Sequence, residues 1–517
     1  MDGLEFQIAA PAPAVNPARA DVACFVGFVA RRGDVSRQAG EDDDAWLARV
    51  LPDWVRAALV TAGWLAGAGA RPAAELAALL DVPVPVESWN AFADLFAWDQ
   101  RPLDGSGQLC PTYLGAAIRT FFARGGRRAY VVRLGDPWSA AAPASIRRPQ
   151  LGRLLPALPP PTPVDRDTWR GVGHLFGLPD VSFLNLPDLP DLFAADSIPR
   201  PTEPEALSEE KFVPLPADEP APTGFPSLRA SPPPGGDDEG FRAWAAFVGR
   251  VGALLRQSAR EVQLVAAVPL PLLAPAGLAP AARVEQWGAV STLSTAFVQL
   301  AYPWLRTPDS EALPGGLEPP DATLTGLLAH NALVRGTWFS AMRRPVAGLD
   351  AVEPLLDRAA LARPLGRHLL RERISIFAPT PVGFQLLTDV TTYDGEACRN
   401  APVNRLTTAI VRAARLVGEE SVFENNGERL WRLLTDRLNA LMTGLWRAGV
   451  FAGASPDDAF EVVCDRSTMT QADIDAGRTI ARIAFTAAAP IERIVIVFAL
   501  NQGGEVSLLS VNSGLTP

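Results

Sequence analysis

A chain of 517 residues exceeds the size at which one hydrophobic core stops growing, so two or more packed units are expected. Its 48% hydrophobic and 20% charged residues give the balance of a folded soluble protein. A formal net charge of -10 excludes a general nucleic-acid binder, which carries a basic field.

Met1 to Val15 has no basic stretch leading into an apolar core, so no secretory signal is expected. Pro11, Pro13 and Pro17 mark residues 1–20 as an extended arm, since each proline fixes φ and removes a backbone donor. Asp21 to Ala30 follows as a buried strand of β-branched and aromatic residues. Residues 34–80 read as a helical insert carrying Trp46, Trp54 and Trp64. The acidic run Glu41 to Asp44 opens it, as the helix dipole favours; a metal site is the sharper alternative. The charge-free stretch Ala57 to Ala70 is shorter than the ~20 residues that cross a bilayer, so it reads as a buried helix.

Ser88 to Phe96 and Tyr113 to Arg124 are helical in pattern, the second stopped by Gly125-Gly126. Ala129 to Leu134, Val262 to Val268 and Phe297 to Ala301 are strand-like, and the alternation predicts an α/β (α+β) fold with a sheet flanked by helices. Two proline-rich stretches, 137–165 and 185–240, interrupt it. The second is expected to be an extended surface loop or partly disordered, because it cannot bury enough apolar area to offset its chain entropy.

Toward the C-terminus, Ile374 to Phe377 and Phe384 to Asp389 read as strands and Asn404 to Leu416 as a helix. Glu428 to Arg447 is a longer helix with an apolar stripe of Leu430, Leu433, Leu434, Leu438, Leu441 and Leu445. Phe460 to Cys464, Thr479 to Thr486 and Ile491 to Leu500 are strands, and Val506 to Val511 is a further candidate. The expected division is an arm at 1–20, a middle α/β domain at 21–345, a C-terminal core at 346–500 and a second arm at 501–517.

Chemical motifs are missing from the sequence. It has no Walker A string, GxGxxG, HExxH or GxSxG. Cys24, Cys110, Cys398 and Cys464 stand far apart without CxxC or a histidine at metal spacing, which fits folding in a reducing cytoplasm. His174, His330 and His368 are scattered and read as hydrogen-bonded structural residues, and Asp465, Asp473 and Asp475 as turn caps that fail the EF-hand spacing. No catalytic, cofactor or metal site is expected.

Four segments, in order, resemble the contractile tail sheath family of phages, R-type bacteriocins and extracellular contractile injection systems. They are Phe25 to Phe28 with Val84 to Phe96 and Tyr113 to Arg133; Tyr302-Pro303-Trp304-Leu305 with Pro319-Pro320 and Leu327 to Trp338; Val422 to Asn426 with Leu430-Trp431; and Ala459 to Gly477. The N-terminal arm departs from the family's usual Pro-Gly-Val-Tyr type motif, and the insert and proline-rich loops are extra. The resemblance implies a structural, non-enzymatic subunit that polymerises helically around an inner tube, meets baseplate and terminal cap proteins, and contracts. A non-contracting paralogue at the cap or next to the baseplate is the first alternative, and an enzyme of unrecognised type the second. No nucleic acid, cofactor or membrane insertion is implied.

The resemblance also implies terminal strands exchanged between subunits, for which Leu4, Phe6 and Ile8 and, in Ile491 to Leu500, Ile494, Ile496 and Phe498 are the candidates. Ile491 to Leu500 is equally readable as a central strand of its own subunit. The family precedent places the tube contact on a C-terminal helix, here with Arg429, Arg432, Arg437 and Arg447 off the leucine stripe.

Overall fold

The computed structural model describes residues 19–66, 69–196, 231–272, 288–365, 367–420, 425–488, 493–500 and 506–513. Eight strands form one large sheet: β1 (Val22–Gly27), β2 (Pro83–Val86), β3 (Ala129–Arg133), β4 (Val181–Asn185), β5 (Gln263–Ala267), β6 (Val298–Tyr302), β7 (Ser375–Thr380) and β8 (Gly383–Leu386). Their order is β8-β7-β6-β5-β4-β1-β3-β2. The strands from β7 to β3 run parallel, and β8 and β2 are antiparallel edges. Pro83 and Pro85 suit an edge strand, where a missing donor is tolerated.

The central strands are short apolar runs because helices cover both faces. Val22, Cys24 and Val26 of β1 face helix α4 (Asp238–Ser258), which buries Phe241, Trp244, Val248 and Leu255. Ala23 and Phe25 point the other way, toward α3 (Tyr113–Ala123) and α5 (Asp321–Val334), with Leu114, Ile118, Phe121, Leu324 and Leu328. The insert at 34–80 carries helices. Its α1 (Asp43–Val50) and α2 (Asp53–Thr61) add Trp46, Leu47, Val55 and Leu59 to that second core, while Trp54 stays 42% exposed. The acidic run is a capping device: the Asp42 carboxylate accepts from Ala45 N at 2.7 Å, and Glu41 pairs with Arg49 at 2.8 Å.

Four expectations change. Strand β4, in the middle of the sheet, lies between the proline-rich stretches and was not foreseen there. The stretch 137–165 holds short helices at Ala144–Arg147 and Leu151–Leu154, with Leu154 fully buried. Within 185–240, Leu189–Leu192 is a buried helical turn and α4 begins at Asp238, while 197–230 lies outside the described residues. Residues 346–399 were expected in the C-terminal core, yet they supply β7 and β8 to the large sheet, because Ser375 and Ile376 pair with Ala301 and Tyr302 of β6. The junction of the two units falls at Asn400 instead.

Beyond it lie α6 (Ala401–Glu419), α7 (Glu428–Arg447) and an antiparallel sheet β9-β10-β11-β12, formed by Phe460–Val463, Thr479–Thr486, Arg493–Leu500 and Val506–Ser513. Ile410, Leu434, Leu438, Ile483 and Ile496 share its core.

Candidate functional site

Open parallel sheets hold ligands at the carboxyl ends of the strands, where the strand order reverses. That point here is between β1 and β4, and the chain's own residues fill it. The Asp188 carboxylate accepts from Phe28 N at 2.8 Å and leaves no room for a Cβ at Gly27. Burial pushes its pKa up to about 7, against the opposing bond from Phe28. Beside it Asp191 accepts from Arg101 at 2.7 Å and Trp138 Nε1 at 2.8 Å, and Arg147 donates to the carbonyls of Asp191 and Ala194. A cavity of about 440 Å³ lined by Arg101 and Asp191 mixes both signs of charge, with Arg147, Asp104 and Asp196 alongside, and selects neither.

Several of the other residues singled out for chemistry have structural partners, while His330 is exposed. His174 Nε2 lies 3.0 Å from the Asp81 carboxylate, and His368 sits 3.4 Å from both Glu372 and Asp394. Asp465 accepts from Ser467 N at 2.7 Å, and Asp473 completes a capping box with Thr470. Among the described residues no group of three or more histidine, cysteine or acidic side chains could hold a metal, and no helix is long and apolar enough to cross a membrane.

Helix α7 buries Leu430, Trp431, Leu434, Leu438 and Met442, so the stripe includes Trp431 and Met442, while Leu433, Leu441 and Leu445 are only partly covered. Arg429 and Arg447 are exposed. They stand eighteen residues apart, five turns at 3.6 residues per turn, so they share the face opposite the core. Arg432 and Arg437 already pair with Glu428 at 3.1 Å and Glu420 at 2.8 Å. Arg429 and Arg447 have no ion-pair partner among the described residues.

Ile494 and Ile496 lie on β11, whose two edges are bonded to β10 and β12 of the same chain. Of the two readings left open for this strand, the central one describes it within the single chain, and the main chain at Phe498 follows the same ladder. The sheet's edges are β9 and the eight-residue β12, with no further strand on their outer sides among the described residues. Leu4, Phe6 and Ile8 lie outside the described residues.

The quoted motifs sit at joints. Trp304 is fully buried and donates to Val268 O at 3.0 Å. Asn426 Oδ1 accepts from Trp431 Nε1 at 2.8 Å and from Thr479 Oγ1 at 2.9 Å, tying α7 to β10. Gly336 has φ +112°, and a Cβ there would lie 2.7 Å from the Trp338 ring. Next to it, Thr337 O accepts from Arg405 Nε at 3.0 Å. Sequence reasoning missed the polar set to which Arg405 belongs. The Asp389 carboxylate binds Arg405 at 2.8 and 3.1 Å and Gln299 Nε2 at 2.9 Å, all of it buried between α6 and β6. An arginine inside an apolar helical run was the available signal.

The chain thus carries a mostly parallel eight-stranded sheet joined through one helix to an antiparallel sheet-and-helix unit. Among solved structures, the chain is similar to the helical sheath of the anti-feeding prophage in its contracted state, with a TM-score of 0.53, 18% identity, and 95% of this chain and 96% of that one covered. It is similar also to the sheath complex of the extracellular contractile injection system PVC in its contracted state (TM-score 0.52, 17% identity, 95% and 94% covered). A chain of the contracted anti-feeding prophage baseplate gives a TM-score of 0.56 at 16% identity, with 94% and 95% covered. No family model matches the sequence, and no curated protein matches it. What these likenesses share with this chain is the fold, over nearly its whole length.

Proposed function

We propose that the chain is the structural subunit of a contractile sheath, polymerising as stacked rings around an inner tube and contracting to drive the tube through a target envelope. The observation that carries this reading is the likeness over 95% of the chain to a contracted helical sheath. Its partners are further copies of itself, the inner tube, and baseplate and terminal cap proteins. Assembly takes place in the bacterial cytoplasm, within a phage tail or a tail-like particle.

In this reading Arg429 and Arg447 face the tube, with Arg432 and Arg437 beside them. Single exposed charge pairs are worth ~0–1 kcal/mol, but repetition along a tube multiplies the contact and leaves it breakable. The arm at 1–20, through Leu4, Phe6 and Ile8, adds a strand to the open edge of a neighbour's C-terminal sheet, and β12 is the exchangeable strand at the other end of the chain. Ile494, Ile496 and Phe498 then form the ladder on which that exchange is built.

The second reading is a sheath-fold ring at the cap or next to the baseplate that does not contract. Negative-stain images of the purified protein separate the two. Long striated cylinders support the sheath, closed single rings support the second reading, and protein that stays monomeric at all concentrations overturns both.

A further inference from the structure

Helix α6 has two buried faces. Val403, Leu406, Ile410 and Ala414 enter the C-terminal core with α7 and β10. Arg405 and Arg412, seven residues apart and so on one face, point into the large sheet with side chains only 5% and 1% exposed. Arg405 is held by Asp389 and Thr337 O, close to the covalent junction at Asn400. Asn404 Nδ2 donates to Ala296 O at the same end, and Trp338 of the sheet unit packs there against the C-terminal core.

Arg412 sits two turns further on, about 10 Å along the axis at 1.5 Å per residue. Its guanidinium donates to Val181 O at 2.7 Å, Arg19 O at 2.9 Å, Ser182 Oγ at 3.0 Å and the Glu261 carboxylate at 3.3 Å. These acceptors lie where β4, β1 and β5 begin, so one side chain joins three neighbouring strands. Arg415 adds a second bond to Glu261 at 3.0 Å.

One anchor next to a covalent joint is a pivot, and two anchors fix a direction. We propose that Arg412 turns this junction into a rigid strut, setting the angle of α6 and of the whole C-terminal unit it carries relative to the large sheet. Directional bonds suit this task better than an apolar seam. Grease tolerates sliding, whereas four acceptors around one planar guanidinium do not. Arg412 is a positioning residue in this scheme, and the strut operates in the single chain whatever the chain assembles into.

The test is double electron–electron resonance on the full chain, with spin labels at Gln257→Cys on α4 and Asp457→Cys in the C-terminal unit. Cys398→Ser removes the partly exposed native thiol, and labelled protein is diluted into unlabelled. The parent protein should give one narrow distance. Arg412→Met should lose it to a broad distribution while the amides of β10 and β11 keep their protection from hydrogen exchange. Arg412→Lys, which reaches fewer acceptors, should fall between. A narrow distance in folded Arg412→Met overturns the proposal, as does broadening that comes with lost protection in β10 and β11. If Arg412→Met does not fold, Glu261→Gln is measured instead; it keeps the backbone acceptors, and an unchanged distance there overturns the strut equally.

Discussion

Replacing Asp389 with asparagine preserves volume and removes one charge from the interior. The parent carboxylate is fully buried and accepts from Arg405, Gln299 Nε2, Ser340 Oγ at 3.1 Å and Ala341 N at 3.2 Å. Burial raises its pKa, but the Arg405 charge and the converging donors outweigh burial and hold it below the ordinary carboxylate range. Asp389→Asn leaves the Arg405 guanidinium buried without a counter-charge and turns one acceptor into a donor facing donors. Breaking a buried pair from one side costs roughly 3–5 kcal/mol, a large share of the ~5–15 kcal/mol that holds a domain together. A group with a depressed folded pKa stabilises above its unfolded pKa and loses that contribution as pH falls through the folded value. The parent should therefore weaken in acid below about pH 4, and the variant should show a flatter acid limb. Urea unfolding at pH 7 and pH 3, followed by tryptophan fluorescence, reads both effects. Joint replacement by Asp389→Leu and Arg405→Met should cost less than Asp389→Asn alone. A loss within about 1 kcal/mol for Asp389→Asn, the size of an exposed pair, would refute the reasoning.

Glu318 has the opposite sign. It is buried between Thr120 Oγ1 at 2.9 Å and Thr307 Oγ1 at 3.3 Å, and burial pushes its pKa up to about 7. Its contribution is complete below the unfolded pKa and lost as pH rises toward 7, so Glu318→Gln should remove a decline of up to about 3 kcal/mol between pH 5 and pH 8; an unchanged pH slope counts against this. Gly336→Ala forces a side chain into a positive-φ position against Trp338 and should cost about 1–3 kcal/mol in thermal unfolding, with an unshifted transition contradicting the contact. Arg429→Glu with Arg447→Glu should give prematurely contracted or tube-free particles under the electron microscope, and normal extended particles would exclude the tube contact. Deleting residues 1–17 should leave a folded, soluble subunit that cannot build long sheaths; cylinders of normal length would sink the arm proposal.

The strands that show most plainly in the sequence are those whose neighbours help. β1, β3, β5 and β6 are apolar runs bounded by loops or by a glycine stop, and the covered faces of a parallel sheet demand such runs. β4 satisfies the same demand with VSFLN, but Pro179 and Pro187 frame it and the surrounding composition reads as loop. The junction at Asn400 was hidden for a different reason. Pairing of β7 with β6 joins residues more than seventy positions apart, and no local period records it.

The two buried arginines of α6 show the limit most sharply. An amphipathic helix with arginines seven apart reads as one face in a core and one in water, because periodicity reports that a face is polar and not what lies against it. Here the polar face meets the large sheet. A solvated arginine there would leave the angle between the units soft, since exposed pairs hold little. Buried, each one adds little net stability but strongly penalises any arrangement that strands its charge. On the sheath reading, that penalty matters more than stability. A subunit that passes displacement to its neighbours must not bend at its own joint, and the strut at Arg412 is what keeps the pivot at Asn400 from bending.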